Sequence, residues 1–310
     1  MKKKQVVGLA LGSGSARGWS HIGIIRALGE RGIVPDIVCG CSAGAVIGGA
    51  YAAGYLDDLE EWGRSLALKD VVSFFDISVM SGGVIAGKRL MDFLGGHMGD
   101  PRIEALPVRF AAVATDLDTG REMWFTSGPL LEAVRASMAL PGFLAPLKIG
   151  DRWYVDGGLV NPVPVSLCRA MGADTVIAVN LNSSMVGKWN QPSRRGSAST
   201  DVQDEHTNES LSDLAERIRK KFAKSLETVM AQIWQGDSHR PGLFDVLATS
   251  IDIMQDRITR SRMAGDPPDL ILSPRLEHLG LLEYYRAAEG IEEGRNCVHR
   301  AEHAVSQLFR

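Results

Sequence analysis

The sequence predicts an α/β fold on three observations. Gln5 to Leu11 is an apolar run that passes through a glycine-rich loop, Gly12-Ser13-Gly14-Ser15-Ala16-Arg17-Gly18, into a helical pattern. Ile37-Val38-Cys39 is a second run, leading through Gly40-Cys41-Ser42-Ala43-Gly44 into a small-residue helix stopped by Gly54. Trp153-Tyr154-Val155 is a third, ending in Asp156-Gly157-Gly158 ahead of another helix. Each is a strand, a tight turn and a helix in that order, the unit from which α/β sheets are built.

The remaining elements follow in chain order. The helix after the first loop spans about Trp19 to Arg31, with Ile22, Ile25 and Leu28 near helical spacing and Gly32 as its stop. Leu56 to Leu68 is a surface helix, and Lys69 to Gly99 reads as irregular and glycine-rich. Val108 to Thr115 and Glu122 to Phe125 are strands joined by a turn at Asp118-Thr119-Gly120. Leu130 to Ser137 is a short helix, Pro162 opens a helix towards Met171, and Thr175 to Asn180 is a further strand. The composition turns polar from Ser183 to Ser210, as in a linker. Leu211 to Trp234 then has an apolar helical face beside a basic cluster. Leu243 to Met263 is a helix, Asp269 to Leu272 a strand, and Leu281 to Phe309 one long or broken helix. Three regions result: a core over 1–182, the polar linker and basic helix over 183–240, and a helical part over 241–310 that completes the domain.

Composition narrows the function. The chain has 310 residues, of which 45% are hydrophobic and 23% charged, the balance of an ordinary globular enzyme. A net charge of -3 gives no electrostatic case for nucleic acid. Cys39, Cys41, Cys168 and Cys297 have no metal-ligand spacing and read as reduced thiols, so a cytoplasmic location without metal or cofactor is expected. Lys2 to Leu11 is too short and too interrupted for a signal peptide, and no apolar run has the length of a membrane span. Membrane contact would be peripheral.

Chemistry concentrates in the three turns. Gly40 to Gly44 reads Gly-x-Ser-x-Gly between strand and helix, the setting of a nucleophile elbow that holds Ser42 out of the core. The loop Gly12 to Gly18 offers backbone N–H groups at a helix start, hence an anion site. A dinucleotide fingerprint fits it poorly, because its third glycine is Gly18, one residue late. An oxyanion hole facing Ser42 and a plain strain-sparing turn are the readings left. Asp156, at a strand end before two glycines, is a carboxylate presented where backbones crowd.

Gly12–Gly18, Gly40–Gly44 and Asp156-Gly157-Gly158, with the phrases Ala-Arg-Gly-Trp-Ser-His-Ile-Gly and Ala-Ser-Met-Ala-Leu-Pro-Gly-Phe, resemble the patatin-like phospholipase family, in particular its bacterial branch related to neuropathy target esterase. The likeness runs from Val6 to about Asn180 and, less specifically, from Leu243 to Arg310. It implies a three-layer α/β/α fold with a central, mostly parallel sheet, and a serine acyl hydrolase acting on a lipid or fatty-acyl ester. Carried over by position, Ser42 is the nucleophile and Asp156 its base. Ser13, Gly14 and Ser15 supply oxyanion N–H groups, Arg17 holds their loop, and Gly40, Gly44, Gly157 and Gly158 shape the two turns. Ser13 and Ser15 depart from the family's glycine run, and a positive φ at either would be strained.

His21, just past the glycine loop, is the competing base and is read instead as a support for that loop. A protein that binds acyl chains without turnover, and an acyltransferase, are the alternative functions. Leu211 to Trp234 is read either as a packing helix or as an interfacial lid meeting lipid through Lys220, Lys221 and Lys224.

Overall fold

The computed structural model describes residues 5–74, 88–183 and 243–309. The chain divides into two compact units, Met1–Val186 with Asp252–Arg310, and Gly187–Ile251. The expected linker and basic helix lie almost wholly outside the described residues. Among the described residues no helix is long and apolar enough to cross a membrane.

Eight strands form one sheet: β1 Val7–Leu11, β2 Ile37–Cys41, β3 Arg109–Asp116, β4 Glu122–Phe125, β5 Leu147–Ile149, β6 Arg152–Asp156, β7 Thr175–Val179 and β8 Leu270–Leu272. β1 runs parallel to β2 on one side and to β7 on the other, β2 parallel to β3, and β7 parallel to β8. β4, β5 and β6 add antiparallel pairings. The sheet is therefore mostly parallel, as expected. Chain order reverses direction at β1, and such a switch point opens a crevice at the carboxyl ends of the strands.

Alternation along the strands sorts the core into two layers. Leu9, Leu11, Val38, Phe110, Ile177 and Val179 face one side, with α1 Ser20–Gly29, α2 Ala43–Ala52 and α6 Leu130–Ser137 packed over them. Ala10, Cys39, Ala111, Val113, Val176 and Ala178 face the other, beneath α7 Val165–Ala170. Both faces are covered, which is why these strands read as continuous apolar runs.

Other helices correct the sequence reading. The stretch expected to be irregular contains α4 Leu68–Phe74 and α5 Lys88–Met98. In α5 the pair Gly95-Gly96 obscured the helical spacing, although Leu94 is core and Phe93 stacks on Trp62 with ring centroids 4.5 Å apart. Pro162 precedes its helix by three residues rather than starting it. β5 is a strand the reading missed, joined to β6 by Gly150-Asp151 with Gly150 at φ +59°. After α8 Leu243–Gly265, the final helix is broken into a 3-10 turn Tyr284–Arg286, α9 Ala287–Arg300 and α10 Glu302–Leu308.

α9 lies against α1 almost backbone to backbone. A Cβ on Gly23 would stand 1.9 Å from the Ile291 carbonyl oxygen, and one on Gly294 would stand 2.0 Å from that of Ser20. Gly29, near the end of the same helix α1, has nothing within 4 Å of its Cβ position. Gly23→Ala should therefore cost about 1–3 kcal/mol or more by forcing the helices apart, while Gly29→Ala should be neutral or stabilising. Urea midpoints for the two variants check this. Equal midpoints would remove the close crossing as a constraint.

Candidate active site

The seam between β2 and β6 builds the site. β2 pairs with β3 up to Cys41↔Val113, and β6, running the opposite way, pairs with β3 from Asp116↔Tyr154 to Ala114↔Asp156. β4 occupies the other edge of β3 over residues 112–115. β2 and β6 must therefore lie on the same edge, end to end. Their last residues, Cys41 and Asp156, sit opposite neighbouring positions of β3.

The next residue after Cys41 is Ser42, which turns out at φ 56°, ψ -120° before α2 begins. Positive φ in a non-glycine residue costs on the order of 1–3 kcal/mol and persists only where surroundings enforce it. Here the enforcement is close packing: a Cβ on Gly40 would meet the Gly44 oxygen at 2.4 Å, and one on Gly44 the Leu11 oxygen at 2.1 Å. The elbow glycines let α2 start directly against β1 and β2.

Ser42 Oγ donates to Asp156 Oδ2 at 2.6 Å. Ser42 is 9% exposed and Asp156 fully buried. Four hydrogen bonds fix the aspartate. Besides the serine, Gly158 N–H donates to Oδ1 at 2.7 Å, Asp156 N–H donates to the Ala139 carbonyl at 2.9 Å, and Thr115 Oγ1 donates to the Asp156 carbonyl at 2.8 Å. Gly157 and Gly158 permit the turn, since Cβ atoms there would meet the Val113 oxygen at 2.2 Å and Gln255 Nε2 at 2.3 Å. Burial pushes the Asp156 carboxyl up from 3.8 to about 6, against the lowering effect of the bonds from Ser42 and Gly158.

The glycine loop borders Ser42, because Leu11 and Gly40 are register partners at the ends of β1 and β2. Ser13 departs from expectation. Its N–H donates to the Pro162 carbonyl at 2.9 Å and is not free to bind an anion. The N–H groups of Gly14 and Ser15 have no hydrogen-bond partner among the described residues, and Ser15 carries the strain anticipated for it, at φ 52°. Arg17 is wholly buried: its N–H closes the loop on the Gly14 carbonyl at 3.1 Å, and its Nη2 bonds Asp252 Oδ1 at 2.7 Å.

His21 bonds the glycine loop rather than Ser42. Its Nε2 lies 2.8 Å from the Gly12 carbonyl and therefore donates to it, and burial lowers its pKa to about 4, so the ring is neutral. Its bond to Gly12 ties the helix α1 to the glycine loop. Cys41 is buried and its thiol pKa is raised, with desolvation the largest cause. That makes it a packing residue. Among the described residues no cluster of three or more His, Cys, Asp or Glu could hold a metal ion.

Sequence reasoning missed four supports. Ser137 Oγ accepts the Ser42 N–H at 2.9 Å. Gln255 Oε1, on α8, accepts from Ser13 Oγ at 2.6 Å and Asn182 Nδ2 at 2.8 Å. Asp252 holds Arg17, and Tyr284 Oη lies 2.6 Å from Ser15 Oγ. Only the helical spacing of Asp252, Gln255, Asp256 and Thr259, all buried, gave a signal: a polar inner face is unusual in a helix.

The patatin-like phospholipase family profile matches residues 9–169, just over half of the chain. An uncharacterized NTE family protein of Mycobacterium tuberculosis is 35% identical over 329 residues, spanning 95% of this chain and 91% of that one. The lysophospholipase NTE1 of Yarrowia lipolytica is 39% identical over 184 residues, 58% of this chain but only 13% of the fungal protein. Among solved structures, VipD from Legionella pneumophila matches with a TM-score of 0.53 at 13% identity, over 98% of this chain and 67% of that one, a likeness of fold.

The raised Asp156 pKa has a consequence for stability. Folded Asp156 keeps its proton up to about pH 6, whereas an ordinary aspartate releases it near 3.8. The folded state thus binds the proton more tightly, and its contribution to stability is lost as pH rises through that window. Asp156→Asn carries no such penalty. At pH 8 it should be more stable than the parent by up to about 3 kcal/mol, and below pH 4 the gain should vanish. Urea midpoints at the two pH values decide it. An equal loss of stability at both would contradict the buried charge.

Proposed function

Because this chain belongs to the patatin-like phospholipase family, we propose that it is a lipid ester hydrolase working through a Ser42–Asp156 dyad, without histidine. The observation that carries the reading is the direct 2.6 Å bond from Ser42 Oγ to Asp156 Oδ2. Its two ends are held by a strained elbow and by an aspartate fixed through both carboxylate oxygens and both backbone groups, so little reorganisation precedes reaction.

A serine hydroxyl needs a base as it attacks an ester carbonyl. An aspartate at 3.8 would be a weak one, and burial to about 6 brings it nearer to neutral pH. Ser42 Oγ attacks the carbonyl carbon while its proton passes to Asp156 Oδ2. The oxyanion is taken by the N–H groups of Gly14 and Ser15, worth about 3 kcal/mol each in such holes. The protonated Asp156 then returns its proton to the departing alcohol, leaving the acyl group on Ser42. Water, deprotonated by Asp156, attacks this acyl ester, and the fatty acid is released as Asp156 hands the proton back to the departing Ser42 Oγ. Lysophospholipase activity, named for the fungal relatives, fits the same chemistry.

Hydrolysis of a short-chain p-nitrophenyl ester tests the roles together. Ser42→Ala should be inactive, Asp156→Asn down roughly 10³-fold or more, and His21→Ala within about tenfold of the parent. kcat/KM should fall on the acid side around pH 6, the pKa of Asp156. An essential His21 beside a dispensable Asp156 would refute the dyad.

A further inference from the structure

We infer that Ser137 is a positioning residue for the nucleophile: its hydroxyl, inserted between the backbones of β2 and β3, holds Ser42 in the turned-out conformation from which Oγ reaches Asp156. The inference rests on the roles proposed for Ser42 and Asp156 and adds a third residue to them.

The register shows what the hydroxyl replaces. β2 pairs parallel to β3 with Cys41 opposite Val113. In a parallel ladder the Val113 carbonyl would accept from the residue one past its partner, which is Ser42. That bond is not made directly. Ser42 N–H donates to Ser137 Oγ at 2.9 Å, and Ser137 Oγ donates to the Val113 carbonyl at 2.6 Å. One side-chain oxygen has been spliced into the last rung, and both backbone groups remain satisfied across a wider gap. With the direct bond, Ser42 would continue β2 in an extended conformation. With the hydroxyl between, the chain leaves the strand one residue early, at φ 56°.

The segment also grips the other half of the dyad. Ser137 ends α6, and two residues on the Ala139 carbonyl accepts the Asp156 N–H at 2.9 Å. Ser137 and Ala139 thus set the ends of β2 and β6 against each other from one short stretch. Ser137 is fully buried and touches no reacting atom, so it acts through Ser42. Ala139 acts through its backbone, which leaves the Ser137 hydroxyl as the part that substitution can remove.

The experiment measures kcat, KM and the pH dependence of kcat/KM on a p-nitrophenyl ester for the full chain and for Ser137→Ala, Ser137→Thr, Ser137→Cys and Ser42→Ala. Loss of the hydroxyl should lower kcat roughly 10- to 100-fold, the scale of an ångström-sized misplacement, with KM within about twofold. The acid limb should also move above pH 6, because the Ser42 hydrogen bond that lowers the Asp156 pKa is weakened. Ser137→Thr, keeping a hydroxyl, should restore both readouts towards the parent. A folded Ser137→Ala with parental kcat and acid limb overturns the inference. So does a loss of kcat with an unmoved limb that threonine fails to rescue, since that is how a merely structural residue behaves. If Ser137→Ala does not fold, threonine against cysteine, whose thiol is a weak donor, carries the comparison: a shifted cysteine limb supports the role, and equal limbs overturn it. An active Ser42→Ala would instead refute the dyad itself, which keeps the two failures apart.

Discussion

β3 is the strand on which the site depends. Its one edge is shared by two strands that approach from opposite directions and stop at neighbouring positions, Cys41 opposite Val113 and Asp156 opposite Ala114. Residues 114 apart in sequence are thereby brought within one hydrogen bond. Neither could be placed by a loop with comparable precision, because each follows from the register of a paired strand. What remains for local chemistry is small: turn Ser42 out of line, and aim one carboxylate oxygen at it.

Those two tasks carry the unfavourable features of the fold. Ser42 and Ser15 are the non-glycine residues with positive φ among the described residues, one in the elbow and one in the glycine loop. Asp156 is a fully buried carboxylate paired with a hydroxyl and an amide rather than a cation. Strain and burial of this kind would be removed by substitution if stability alone mattered. The apolar layers around β1, β2 and α2 offset them. In return, burial lifts the carboxylate towards a useful basicity, and the lowering of the His21 pKa keeps that ring neutral and tied to Gly12.

The three turns were legible in the sequence because each carries its meaning locally. A glycine on either side of Ser42 and two after Asp156 report close backbone approach, and the structure has those approaches. Less was legible wherever function depends on contact at a distance. Nothing near Ser13 reveals that the Pro162 carbonyl takes its N–H. Gln255, Asp252 and Tyr284 come from far along the chain, and no local pattern ties them to the loop. Ser137 lies within Ala-Ser-Met-Ala-Leu-Pro-Gly-Phe, yet a serine ending a helix has no distinguishing mark until the β2–β3 register is known. β5 is a different case: Gly150-Asp151 between alternating residues is itself a local hairpin signal.

Covalent labelling with a fluorophosphonate, followed by mass-spectrometric mapping of the adduct, tests the central claim most directly. It requires only the nucleophile, its base and the oxyanion donors, and no knowledge of the natural ester. The account predicts a single adduct on Ser42, formed at a rate that declines as pH falls through about 6, where Asp156 takes up its proton. An adduct on another residue, or labelling of Ser42 that is indifferent to pH across that range, would contradict it.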